Sequence, residues 1–208
     1  MSRPLLITDC DEVLLHMVSH LSAWVKETHD VVMELTSQEF AGAFRSADGR
    51  VLEPEEIWPM FDSFFATSMH RQTLIPHAGA ALAAIADRAD IVVLTNLTEE
   101  CRTGRIDQLA AHGIHHRVMC NQGGKGTPVT RLLDEYQPSV AVFVDDLVFH
   151  HRSVAQATPE VWRIHMIGDP QVAAMVAPAP DAHVRIDDWR EAEAWILARF
   201  SEGRPATA

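Results

Sequence analysis

The sequence predicts an α/β fold: a Rossmann-like parallel sheet with helices on both faces, and a small α-helical insert after the first strand. Three observations carry that expectation. Short apolar runs recur at 5–7, 91–94 and 140–144, as in strands buried on both faces. Stretches of helical spacing separate the later runs. Each run stops in polar groups: Asp9 and Asp11, Thr95 and Asn96, Asp145 and Asp146. In open α/β sheets, ligands sit beyond the carboxyl ends of the strands.

The bulk composition narrows the class. A chain of 208 residues, 47% hydrophobic, suffices for one core domain with an appendage. The formal charge of −12 argues against a nucleic-acid binder, which needs cations for phosphates. No apolar stretch approaches the ~20 residues of a membrane span. Met1-Ser2-Arg3 leads straight into the first strand, so no signal peptide is expected. Cys10, Cys101 and Cys120 lack metal spacing and read as reduced thiols in a cytoplasmic protein. Of the 17 basic residues only Lys26 and Lys125 are lysine, which draws attention to both, since the two cations are not interchangeable.

In chain order, Leu14, Val18, Leu21 and Val25 mark a first helix ending near Asp30. Thr36-Ser37-Gln38-Glu39 is read as a short helix start and Ser46–Gly49 as a turn. Pro54 resembles a helix start, but Pro59 predicts a turn and a second start, with Phe61, Phe64, Phe65 and Met69 facing inward. Residues 15–75 therefore read as mainly helical, with no obvious strand. From Pro76 helices and strands alternate. The helices are expected over 78–87, 99–112, 125–136 and 148–157, with a last one capped by Asp187 or Asp188. The strands are expected at 90–96, 117–120, 140–144 and 161–166. Residues 201–208 read as a disordered tail. The domains are thus 1–14 with 76–200 as core, and 15–75 as insert.

Parallel strands bring their ends to one edge of the sheet, which gathers Asp9, Asp11, Thr95, Asp145 and Asp146. Lys125, after two glycines, joins them. Carboxylates so crowded repel unless a cation intervenes. Mg²⁺ suits a few carboxylates plus a substrate phosphate, leaving Thr95 and Lys125 to hold anionic oxygens.

In this order the motifs resemble the haloacid dehalogenase-like (HAD) superfamily: Asp9-x-Asp11-x-Val13-Leu14, a strand ending in Thr95, an isolated Lys125, and a strand ending in Asp145-Asp146. The resemblance implies a Mg²⁺-dependent phosphatase acting on a small phosphorylated metabolite. Asp9 is then the nucleophile and Asp11 the general acid and base. Thr95, Asn96 and Lys125 bind phosphoryl oxygens. The Asp9 side chain, the Asp11 carbonyl, Asp145 and Asp146 hold the metal. Asp11 favours phosphate monoesters over halides or phosphonates, and the insert is placed like a C1-type cap. A phosphotransferase or phosphomutase of the same superfamily, or an idle binding module, are the alternatives. The expected assembly is a monomer or homodimer without nucleic-acid or membrane partners. Two departures stand out: Glu12 where a glycine is common, and His77-Ala78 interrupting a common Pro-Gly pair.

The remaining polar residues get plainer readings. His16 and His20 read as a polar face of the cleft, with metal ligation the alternative. His115-His116 and His150-His151 read as surface or loop residues, with His150 and Ser153 near enough to the fourth motif to support it. Cys10 should point away from its flanking aspartates, into the core. Trp58, Phe61, Phe64 and Phe65 read as insert core. Arg45, Arg50 and Arg71 are candidates for an anionic leaving group.

Overall fold

The structure, a computed structural model, describes residues 2–34 and 41–207. The chain runs β1 (Leu5–Thr8), α1 (Val18–His29), β2 (Val32–Met33), β3 (Phe44–Arg45), α2 (Pro54–Thr67), α3 (Ala78–Ala86), β4 (Asp90–Thr95) and α4 (Arg102–Ala111). It continues with β5 (Arg117–Cys120), α5 (Gly126–Tyr136), β6 (Ala141–Asp145), α6 (Val148–Ala157), β7 (Trp162–His165), α7 (Pro170–Ala173), β8 (Val184–Arg185) and α8 (Trp189–Glu202).

Six strands form one parallel sheet in the order β5-β4-β1-β6-β7-β8. Its faces follow the two-residue alternation of strands. Leu6, Ile91, Val93, Val142 and Val144 pack on one side with Leu82, Ile85, Trp189 and Ile196 of α3 and α8. Leu5, Ile7, Val92, Leu94 and Phe143 pack on the other with Val129, Leu132 and Val154 of α5 and α6. Burying each such side chain contributes roughly 1.5–3 kcal/mol. The apolar runs are continuous because both faces are covered.

Between β1 and α3 the chain has an apolar cluster of its own, including Leu21, Trp24, Val25, Phe44, Ile57 and Phe64. Trp24 and Phe64 meet edge to face at 5.6 Å. Trp58, expected in that core, is 57% exposed. The first helix begins at Val18 rather than Leu14, because Cys10–Leu15 closes a turn: the Leu14 N–H donates to the Cys10 carbonyl at 2.7 Å. The helix start read at Thr36–Glu39 lies outside the described residues.

The break expected at Pro59 does not occur, and α2 runs through it. Pro54 starts the helix and Glu53 and Glu56 form a capping box. Pro59 stands one turn in, and Glu55, whose carbonyl loses its donor, is exposed to water. The strandless reading of 15–75 is also corrected. β2 and β3 form a two-residue antiparallel ladder, Val32 opposite Arg45 and Met33 opposite Phe44. β8, also two residues long, likewise has no counterpart among the expected strands. Such short strands show no periodicity; their pairing is set by tertiary context. The tail expectation is corrected too: residues 201 and 202 complete α8, the Trp162 indole donates to the Arg204 carbonyl at 2.9 Å, and Ala206 N donates to the Glu160 carbonyl.

His183 supports the far edge of the sheet. Its Nδ1 accepts from Arg163 N at 3.0 Å, and its ring meets Trp162 edge to face. Burial, then the Arg163 charge, push its pKa down to about 4. Unfolded, it titrates near 6.5. The unfolded chain therefore binds the proton first, and stability present above pH 6.5 is lost as pH falls toward 4. His183→Asn keeps an acceptor near Nδ1 without the titration. Its melting temperature should fall less than the parent's between pH 6.5 and 4 by thermal denaturation; parallel curves would refute the assignment.

Candidate active site

The sheet register assembles the centre. Thr8 pairs with Val144, and the Asp9 N–H donates to the Val144 carbonyl at 2.8 Å, so Asp9 leaves β1 alongside Asp145 at the end of β6. Lys125, at the N-cap of α5, points between them: its Nζ lies 2.7 Å from Asp9 Oδ1 and 2.7 Å from Asp145 Oδ2. All three are buried. Asp146 joins this group: Asp9, Asp145 and Asp146 each offer a carboxylate oxygen within 4.8 Å of the others.

Their electrostatics are unbalanced. Burial raises the Asp9 pKa, opposed by Lys125 and reinforced by Asp145. Burial, then Asp145 and Asp9, push Asp146 well above the carboxylate range. Burial works against the Lys125 charge, yet Asp145 and Asp9 outweigh it and hold the ammonium above its usual range. Three carboxylates thus share one ammonium. This all-oxygen set fits a hard dication such as Mg²⁺, whose charge would hold the carboxylates ionised.

Two histidines fix the backbone of the acidic pair. His151 donates from Nε2 to the Asp145 carbonyl at 2.9 Å. His165 accepts from Ala179 N at Nδ1, so its Nε2 carries the proton donated to the Asp146 carbonyl at 2.8 Å. The surface reading of His150-His151 is therefore corrected: both are buried in α6. His151 shares a helix face with buried Val154, three residues on, which is the signal that separates it from a solvent residue. Ser153 receives the Gly126 N–H on Oγ at 2.9 Å, and a Cβ on Gly126 would stand 2.3 Å from the Ser153 carbonyl. The glycine after Lys125 lets α5 pack this closely on α6.

Asp11 has different partners. Arg105 Nη2 lies 2.9 Å from both of its oxygens, and Gln72 Nε2 donates to Oδ1 at 2.7 Å. Arg105 is fully buried, with its Nη1 3.2 Å from Cys10 Sγ and its guanidinium over the Phe65 ring. Burial opposes its charge, but Asp11 more than compensates. Cys10 is buried in the apolar core and its thiol is pushed up by burial. Arg105 and Gln72 escaped the sequence reading. Arg105 lies four residues before buried Leu109, on the inward face of α4.

Thr95 closes β4, fully buried, and among the described residues its Oγ1 has no hydrogen-bond partner. An unpaired buried hydroxyl is costly unless a ligand satisfies it. Asn96 is tied to the loop before Lys125: its Nδ2 donates to the Gly123 carbonyl at 2.9 Å and its Oδ1 accepts from Asn121 Nδ2 at 3.0 Å. Arg45, Arg50 and Arg71 are engaged with Glu34, Glu56 and Glu27. The two departures noted in the sequence share one cause. Glu12 (φ 59°) and His77 (φ 68°) both hold the left-handed conformation in which glycine costs least.

No family model matches the chain, and no curated protein matches it. Solved structures do. A HAD-like family hydrolase from Xanthomonas campestris aligns over 97% of this chain and 98% of its own, with TM-score 0.60 and 16% identity. A Bacillus subtilis protein assigned as a HAD hydrolase and bound to magnesium aligns over 94% and 99%, with TM-score 0.65 and 13% identity. A Lactobacillus plantarum protein assigned as a phosphoglycolate phosphatase aligns over 95% and 99%, with TM-score 0.57 and 12% identity. These likenesses show the fold: the chain has the HAD-like α/β architecture. No helix among the described residues is long and apolar enough to cross a membrane.

Proposed function

We propose that this chain is a Mg²⁺-dependent phosphatase of small phosphorylated metabolites, with residues 15–75 serving as the cap over its core. The observation that carries the reading is Lys125 seated between Asp9 and Asp145, at the ends of adjacent parallel strands. A carboxylate nucleophile beside an ammonium, with acidic groups ready for a dication, is what phosphoryl transfer requires.

In this mechanism an Asp9 oxygen attacks phosphorus and the ester oxygen leaves, giving an aspartyl-phosphate. Asp11, after giving up one of its Arg105 bonds and taking up a proton from solvent as the ester binds, passes that proton to the departing oxygen and later takes one from the water that cleaves the acyl phosphate. Lys125 exchanges part of its pairing with Asp9 for a phosphoryl oxygen. Thr95 Oγ1 supplies a hydrogen bond that it makes to no described residue, and Asn96 holds the loop that presents Lys125. Asp9, Asp145, Asp146 and the Asp11 carbonyl would hold Mg²⁺, which supplies positive charge at the phosphoryl oxygens. The neighbour assigned as a phosphoglycolate phosphatase is in keeping with a small anionic ester.

The test is phosphate release from an aryl phosphate. Activity should require Mg²⁺, disappear with chelator, and fall by about 10³-fold or more in Asp9→Asn. Undiminished hydrolysis by that variant would remove Asp9 as the nucleophile.

A further inference from the structure

A second group of potential ligands lies outside the Asp9–Asp145–Asp146 cluster. Glu12, His16 and Asp169 each present one ligand atom, all within 4.8 Å of one another. Two of the three carry an atom whose bonding is unfulfilled. Glu12 is 1% exposed, and among the described residues its Oε2 has no partner; the same holds for His16 Nδ1.

The two carboxylates are aimed by the same device. Glu12 Oε1 accepts from Met17 N at 2.8 Å and Val18 N at 2.5 Å, at the start of α1. Asp169 Oδ1 accepts from Gln171 N at 2.8 Å and Val172 N at 3.4 Å, at the start of α7. One oxygen of each is thereby anchored. The second oxygens, Glu12 Oε2 and Asp169 Oδ2, remain for His16, whose Nδ1 lies 3.8 Å from Asp169 Oδ2. That separation is too long for a hydrogen bond. It fits two ligands of one ion at about 2 Å each. The backbone also holds the parts together: Gly168 N donates to the Glu12 carbonyl at 2.6 Å, and His16 N donates to the Thr73 carbonyl at 2.9 Å. A buried glutamate in the left-handed conformation is strained. Capping α1 offsets part of that strain but leaves Oε2 unexplained.

We propose that Glu12, His16 and Asp169 form a second cation site, selective for a borderline divalent transition ion such as Zn²⁺. An imidazole with two carboxylates suits Zn²⁺, whereas Mg²⁺ favours all-oxygen, octahedral surroundings. The ion would staple the insert's first turn to the loop before α7, beside Asp11 but through none of the groups assigned to phosphoryl transfer. The proposal does not depend on the phosphatase reading.

The chelator-stripped full chain is dialysed against Zn²⁺ in excess Mg²⁺, and bound zinc is counted by mass spectrometry. The expected result is one Zn²⁺ per chain, X-ray absorption showing one imidazole among oxygen ligands, and a melting temperature raised by about 5 °C at 100-fold over Kd. His16→Ala should bind at least about 10-fold more weakly. Asp169→Asn should do the same while its remaining oxygen still caps α7, so it covers the case in which His16→Ala fails to fold. Asp145→Asn should keep the zinc. No zinc retained against Mg²⁺, zinc retained equally by Asp169→Asn, or zinc lost only with Asp145 would each overturn the site.

Discussion

Replacing Lys125 with methionine should slow phosphate release steeply and destabilise the fold together. The ammonium touches Asp9 and Asp145 at 2.7 Å each, with all three groups buried. Its removal leaves carboxylates facing one another without their ammonium. Breaking a buried ion pair from one side costs about 3–5 kcal/mol. In a domain of this size that corresponds to a fall in melting temperature of roughly 6–20 °C. Turnover should drop by about 10²–10³-fold, as when one transition-state charge partner is deleted. Mg²⁺ should restore part of the lost stability and little of the activity, because it can neutralise the carboxylates without replacing the phosphoryl contact. Thermal melting with and without Mg²⁺, alongside aryl phosphate turnover, measures both. A variant as stable as the parent in chelator would contradict the electrostatic account.

The second large effect is expected at Arg105. Its guanidinium holds both Asp11 oxygens at 2.9 Å, so its influence on the reaction passes through that carboxylate. Arg105→Met should lower kcat by about 10²-fold for alkyl phosphates, whose leaving oxygen needs a proton. Aryl phosphates, which leave readily as anions, should lose much less. Arg105→Lys should recover only part, since lysine has no bidentate fork. The comparison that decides is kcat across esters of graded leaving-group acidity. A uniform loss would mean that Arg105 packs the core without positioning the acid.

The sheet and most of its helices were legible because their residues are locally consistent. Runs such as Ile91–Leu94 are apolar on both faces and end in residues with no business in a core. Lys125 stands out through the rarity of lysine in an arginine-using chain. What escaped depends on contacts between distant segments. β2, β3 and β8 are two-residue ladders that exist only through their partners. Arg105 reads as an ordinary helix arginine until Asp11, Gln72 and Phe65 surround it. Pro59 reads as a break in the sequence because exposure of the bereft Glu55 carbonyl is a property of the folded surface. The left-handed backbone at Glu12 is likewise invisible in a residue type that seldom adopts it.

The two chain crossings between the insert and the sheet run side by side. Leu15 bridges Leu74, Ile75 N donates to the Leu14 carbonyl at 2.8 Å, and His16 N donates to the Thr73 carbonyl. Entry and exit are therefore adjacent, and a two-residue turn could join them in place of everything between. Closing so short a connection costs less chain entropy than closing the native excursion. The excursion is thus a cassette: it could be lengthened, exchanged or discarded without re-threading the sheet, and Asp9 and Asp145 would keep the places their strands give them, whereas Asp11 would lose the Gln72 bond.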